Sequence, residues 1–228
     1  MHDNQPFDSE AYCNGAPIKV TRNCSDILRC LRKREGSVTI WLDQICVNQS
    51  SDEDKNVNLA RMDEIYENCT KVLIWMTGFT EDAVLVLRRI LDGSRDAGQD
   101  VTEKSEELAA EISVMRDFQF YPWHERMWTL QEVVVPTHND ILLLTRSGTL
   151  PLMTSQSFVS RAVSLARLQL LRLSMGNWPG MEHWKLSSIL QYTLDGKCYL
   201  PQDKIYALYG ILKRKSPETA RLTLPTIN

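Results

Sequence analysis

Residues 37–78 constrain the fold more than any other stretch. They open on a β-rich apolar run, Val38-Thr39-Ile40-Trp41-Leu42, that ends on Asp43. A polar loop follows through Cys46, Asn48 and Gln49, then a charged, serine-rich patch from Ser50 to Asp54. Leu59, Met62, Ile65, Tyr66 and Cys69 then recur at helical spacing, which argues one amphipathic helix. A second apolar run, Val72-Leu73-Ile74-Trp75, precedes Gly78. Strand, loop, helix, strand is the repeating unit of a parallel α/β sheet. The expected fold is therefore α/β, a small parallel sheet flanked by helices. Ligands in such sheets sit beyond the carboxyl ends of the strands, so Asp43, Cys46, Asn48 and Gln49 form a first candidate site.

The flanks fit the same scheme. Ile18 to Thr21 reads as a short edge strand behind a loosely structured segment, 1–16. Asn23 or Ser25 caps a helix carrying Ile27, Leu28 and Leu31, with Arg32, Lys33 and Arg34 in its last turn and Gly36 beyond. Thr80 caps a helix that runs to Leu91. After a polar loop, a helix over about 103–118 places Leu108, Ile112, Met115 and Phe118 inward. Tyr121-Pro122-Trp123 breaks it, and a short helix from about Glu125 to Val134 follows. Residues 141–145 read as a buried strand. Beyond it the chain reads as mainly helical, with helices over 155–174, 183–194 and 202–213 and a turn at 177–180. Thus 17–145 is an α/β core, 146–212 a helical part and 213–228 a tail.

Composition narrows the partners. A formal net charge of -3 gives no reason to expect nucleic acid or an anionic membrane. No apolar run reaches the length of a membrane span, and the N-terminus shows no secretory signal. The six cysteines form no Cys-x-x-Cys pair, which fits a reducing, cytoplasmic setting. Histidines 2, 124, 138 and 183 lack ligand spacing, so no metal site is expected. No phosphate-binding glycine loop occurs, so no bound cofactor is expected either.

A second candidate site lies in Arg126-Met127-Trp128-Thr129-Leu130-Gln131-Glu132. Helical spacing puts Trp128 and Glu132 on one face. An acid beside an aromatic ring has its pKa raised by desolvation, which suits glycosyl-bond chemistry. The competing reading pairs Glu132 with Arg126 and leaves Trp128 in the core. In the first site Asp43 either binds ribose hydroxyls or caps its loop, while Asn48 and Gln49 hold the turn. Cys46 has no neighbouring base in sequence and makes a poor nucleophile.

The chain also resembles a known family. Trp41 to Gln49, Met62-Asp63-Glu64-Ile65-Tyr66, Val72 to Gly78, Pro122 to Glu132 and Asp203-Lys204-Ile205-Tyr206-Ala207-Leu208-Tyr209-Gly210 look like the blocks of the fungal heterokaryon incompatibility domain, in its order. The resemblance implies an effector of cell death in fungal non-self recognition. Such domains have been viewed as TIR-like, which implies a flavodoxin-like core. The Arg126 to Glu132 block is similar to the Trp-Cys-x-x-Glu run of TIR domains, some of which cleave NAD at the nicotinamide glycosidic bond. On that resemblance Glu132 would act at the oxocarbenium-like centre, Trp128 would shape the pocket wall, and NAD or NADP would be substrate. The same resemblance allows a self-associating signalling module, or an inactive remnant. Two departures stand out. The family's opening Tyr-x-Ala-Leu-Ser-Tyr-x-Trp-Gly-like strand has no counterpart here, and its Glu-Arg-x-x-Gln-Val-like run reads Asp54-Lys55-Asn56-Val57-Asn58-Leu59.

Overall fold

The fold was read from a computed structural model, which describes residues 6–92, 101–136, 140–153, 196–198 and 200–215. The expected helices over 155–174 and 183–194 and the turn at 177–180 lie outside the described residues. The chain is mixed α/β, with small sheets flanked by helices. It divides into two compact units, one up to Ala60 and one from Arg61 onward.

The first unit opens on an antiparallel hairpin, β1 (Ser9–Cys13) with β2 (Ala16–Val20). Its turn is Asn14-Gly15, both at positive φ, 51° and 81°. This corrects the expectation of a loose segment over 1–16. Asn-Gly between two short runs is the strongest local hairpin signal, because the turn that matches strand twist needs positive φ at both central residues. Helix α1 (Arg22–Glu35) follows at once. Its cap is Thr21, two residues before Asn23 and four before Ser25, the expected caps: the Thr21 hydroxyl accepts from the Cys24 N–H at 3.3 Å. Gly36, at φ 72°, ends the helix as its sequence suggests.

The run Val38 to Leu42 corrects the sequence reading most. It is not a strand; it leads from Gly36 directly into a four-residue helix, α2 (Asp43–Cys46). A β-rich composition makes a strand only where a neighbour completes its hydrogen bonds. The hairpin is the unit's sheet among the described residues, and its strands pair with each other. The single helix expected next is also divided, into α3 (Asp52–Ala60) and α4 (Met62–Asn68). Arg61, at φ -113° and ψ 5°, breaks it at the border between the units. α3 carries Asp52, Glu53 and Asp54 in its first turn, where the helix dipole favours acids.

In the second unit, β3 (Lys71–Trp75) pairs in parallel with β4 (Asp140–Leu144), and β4 pairs antiparallel with β5 (Thr149–Met153). The expected parallel sheet is therefore mixed. β5 falls in the stretch from 146 read as mainly helical, ahead of the helix expected from 155; Thr145 and Gly148 close its hairpin through Thr145 N–H to the Gly148 carbonyl at 2.8 Å. Pro151 is tolerated because β5 lies at the sheet edge. Val72, Ile74, Ile141, Leu143 and Leu150 are buried on one face of this sheet. The Thr80 hydroxyl accepts from the Ala83 N–H and caps α5 (Glu81–Asp92). α6 (Val101–Gln119) packs beside it, joined by an Arg89–Glu107 ion pair. Phe118 is fully buried, but Leu108 and Ile112 are 52% and 61% exposed, against expectation. Spacing identified an apolar face, but the packing of α5 on α6 decides which turns of it are covered.

A 3₁₀ turn (Pro122–Glu125), helix α7 (Thr129–Val134) and helix α8 (Asp203–Lys215) complete the unit. The expected helix from Glu125 to Val134 is thus interrupted. At the interruption Arg126 forms a parallel bridge with Lys197, and Met127 N–H donates to the Lys197 carbonyl at 3.0 Å. α8 buries Tyr206, Ala207, Leu208 and Ile211, while Ile205 is 61% exposed.

Helices α4, α7 and α8 meet around Gly210. A Cβ there would lie 2.6 Å from Asp63 Cβ and 3.5 Å from Gln131 Nε2. The obstructing atom is attached to backbone and cannot swing away. Gly210→Ala is therefore expected to cost about 1–3 kcal/mol as overpacking, although alanine for glycine inside a helix ordinarily gains up to about 1 kcal/mol. The midpoint of urea unfolding reads this directly; an unchanged or raised midpoint would refute the close approach.

Candidate functional site

The segment from Tyr121 to Glu132 is the hub of the second unit. Its sequence alternates large aromatic and polar side chains on a backbone that changes from 3₁₀ turn to extended to α-helix, so successive side chains leave in different directions. The Tyr121 hydroxyl accepts from the Thr77 N–H at 2.8 Å, just past the carboxyl end of β3. Phe79 tilts against the Tyr121 ring at 5.9 Å. Thr129 Oγ1 donates to the Arg126 carbonyl at 2.7 Å and ties the extended residue to the start of α7.

Glu132 is half-buried, and its carboxylate accepts a hydrogen bond from the Trp123 indole N–H at 3.0 Å. The indole that holds the acid is thus nine residues upstream of it. The expected companion, Trp128, is buried at the N-cap of α7. Sequence spacing missed Trp123 because the break at Arg126 folds the 3₁₀ turn back onto α7. Arg126 is half-buried, and its backbone makes the bridge to Lys197. The Lys197–Glu125 ion pair beside it is 2.6 Å long but exposed, so it contributes little.

Gln131 points the other way. It is 1% exposed, and its amide donates to the carbonyls of Tyr206 and Ala207 at 3.1 and 2.9 Å. Those acceptors lie in α8, so one side chain pins α7 to α8. Asp63 is 3% exposed, with Lys213 3.6 Å from its carboxylate. Sequence reasoning assigned neither residue a role. Both stand in the quoted motifs, but only the packing shows what they hold.

His124 is wedged edge-on between Phe118 and Trp123, with ring centroids 5.0 Å from each. Neither ring nitrogen has a hydrogen-bond partner. Burial pushes its pKa down from 6.5 to about 4; the Phe118 carbonyl opposes this weakly, without reaching hydrogen-bond geometry. It is a neutral, apolar-facing ring at physiological pH.

Asp43, Cys46 and Asn48 belong to the first unit. Asp43 opens α2, and its carboxylate accepts from the Gln44 N–H at 2.8 Å. Gln44 is buried, and its side-chain oxygen accepts from both the N–H and the hydroxyl of Thr21, at 3.1 and 3.0 Å, which locks α2 to the start of α1. The Asn48 side-chain oxygen accepts from Ser50 N–H and Oγ at 3.1 and 2.7 Å, and its own N–H donates to Asp54. Gln49 donates to the Asp43 and Val47 carbonyls. Cys46 is exposed and free. Burial, with Asp43 and Cys46 nearby, pushes the Cys24 thiol up to about 11, so it carries almost no thiolate at neutral pH. Among the described residues, no group of three or more His, Cys, Asp or Glu side chains is arranged to hold a metal, and no helix is long and apolar enough to cross a membrane.

A mixed α/β protein with small sheets, in which the motif blocks around Asp63, Gln131 and Gly210 meet at a helix junction, is the class these observations define. The chain belongs to the heterokaryon incompatibility family: the family profile, Heterokaryon incompatibility protein (HET), matches residues 2–132. It is 27% identical over 106 residues to Heterokaryon incompatibility protein 6, OR allele, of Neurospora crassa, an overlap of 44% of this chain and 15% of that protein. The chain thus matches only a small part of that relative's length. No solved structure matches. The Asp203 to Gly210 block lies beyond the matched residues, yet Gln131, next to their last position, is what holds it.

Proposed function

We propose that this chain acts in fungal heterokaryon incompatibility as a binding and signalling module of a cell-death response to non-self. The supporting observation is where its motif residues point. Gln131 is directed into α8, Asp63 lies against Gly210, Trp128 is in the core and Asn48 closes a turn. These side chains build the frame, and a frame presents surfaces. The response then runs through contacts with other proteins, self-association included.

One observation favours a second reading, hydrolysis of NAD or NADP at the nicotinamide glycosidic bond. Glu132 is a half-buried carboxylate oriented by an indole N–H, the kind of fixed acid such chemistry uses. Incubation of the purified chain with NAD, followed by assay of released nicotinamide, separates the two. The binding reading expects no release above the protein-free control, from wild type or from Glu132→Gln. Release by wild type that Glu132→Gln lowers by about a hundredfold or more would overturn it and establish the hydrolase.

A further inference from the structure

We infer that Cys46 and Cys24 form a dithiol site for oxidation by peroxide, in which the exposed thiol reacts first and the buried one closes a disulfide onto it. The inference is independent of both readings above.

The fold brings the two cysteines to one place. Cys24 lies in the first turn of α1 and is 4% exposed, and Cys46 ends α2 and is exposed. Both are free thiols. Thr21 and Gln44 clamp their helices together. The Thr21 hydroxyl accepts from the Cys24 N–H at 3.3 Å and donates to Gln44 Oε1 at 3.0 Å, and the Thr21 N–H donates to the same oxygen at 3.1 Å. Two hydrogen bonds in series thus lead from the Cys24 backbone to a side chain two residues before Cys46. The Cys46 N–H donates to the Leu42 carbonyl at 2.8 Å, which fixes that end of α2. The thiols also feel each other. Burial, then the Asp43 charge, then the Cys46 charge push Cys24 up to about 11.

Exposure assigns the order of events. Cys46 meets solvent, so its thiolate attacks one oxygen of hydrogen peroxide. The S–O bond forms, the O–O bond breaks, and the departing hydroxide takes up a proton to leave as water. Cys46 is then a neutral sulfenic acid, which removes one of the three causes that suppress the Cys24 thiolate. The Cys24 sulfur attacks the Cys46 sulfur, the S–S bond forms, the S–O bond breaks, and hydroxide leaves with the Cys24 proton as a second water. Two thiols and one peroxide give one disulfide and two waters. A solitary exposed thiol passes on to the irreversible sulfinic acid; a shielded neighbour intercepts it, and thiol exchange restores the pair. Redox sensing is the ordinary use of such a pair in a reducing setting.

The test treats the purified full chain with equimolar hydrogen peroxide, blocks remaining thiols by alkylation, and digests with trypsin. Cys24 then lies in residues 23–29 and Cys46 in residues 35–55, each the sole cysteine of its peptide. Mass spectrometry is expected to find these two peptides joined, and separate again after reduction. Cys24→Ala is expected to stop at the Cys46 sulfenic acid, trapped by a carbon nucleophile. Cys46→Ala is expected to slow the loss of the Cys24 thiol by at least about tenfold. Sulfinic acid on Cys46 with Cys24 still reduced would overturn the inference, as would joining of either peptide to another cysteine, or no oxidation of Cys46 in a chain shown to be folded. The wild-type linkage decides the matter even where a variant fails to fold. Nicotinamide release tests the readings above and has no bearing on this outcome.

Discussion

Phe118→Ala is expected to destabilise the second unit by about 3–5 kcal/mol, the largest loss foreseen for a single truncation. Phe118 is fully buried at the end of α6 and is held edge-on by Phe79 at 6.5 Å and by His124 at 5.0 Å. Removing its ring deletes both aromatic contacts and leaves a cavity beside an imidazole with no hydrogen-bond partner. Water entering that cavity would solvate His124, so its pKa should climb from about 4 toward 6.5. Urea unfolding reads the first effect and the imidazole proton resonances read the second. A loss below about 1 kcal/mol would place Phe118 outside the core. If Phe118→Ala does not fold, Phe118→Leu should show the same two effects in smaller measure.

His124 sets the second large effect, a loss of stability on mild acidification. Its folded pKa of about 4 lies below the ordinary 6.5, so between those values the unfolded chain binds the extra proton. Its neutral-state contribution is therefore complete above pH 6.5, falls as pH drops toward 4, and is flat below that. The full span is about 3 kcal/mol. Carboxylates protonate over part of the same range, so the informative quantity is the difference between wild type and His124→Leu. That variant keeps an apolar side chain against Phe118 and Trp123, and its stability should decline less steeply over this window. Parallel pH profiles for the two proteins would show that His124 is solvated in the fold.

Local chemistry was legible wherever neighbours in sequence are neighbours in space. The Thr80 cap, the Gly36 stop and the strands β3 and β4 each depend on a few consecutive residues. The Asn14-Gly15 hairpin belongs to the same class; its signal was present in the sequence but was not used. Val38 to Leu42 is different in kind. Its composition is that of a strand, but strand formation depends on a partner that no local pattern reveals. The α3–α4 break at Arg61 is similar: Leu59, Met62, Ile65, Tyr66 and Cys69 are each half-buried, so the periodicity of the sequence continues where the helix does not.

The candidate site divides along the same line. Sequence placed an aromatic residue near Glu132 through i, i+4 spacing, and the fold supplied Trp123 instead, because the extended residue at Arg126 interrupts the helix that this spacing assumes. Gln131 and Asp63 gave no chemical signal in sequence, since an amide or acid reads as polar wherever it stands. Their importance comes from buried carbonyls in α8 and from a glycine 79 residues beyond Gln131, contacts that only packing creates.

The sequence by itself determined the α/β class, the family and the caps and turns, because those follow from backbone preference and from motif order. The tertiary structure alone decided which motif residues build the frame and which β-rich runs become strands, because burial and strand pairing are properties of the neighbour and not of the residue.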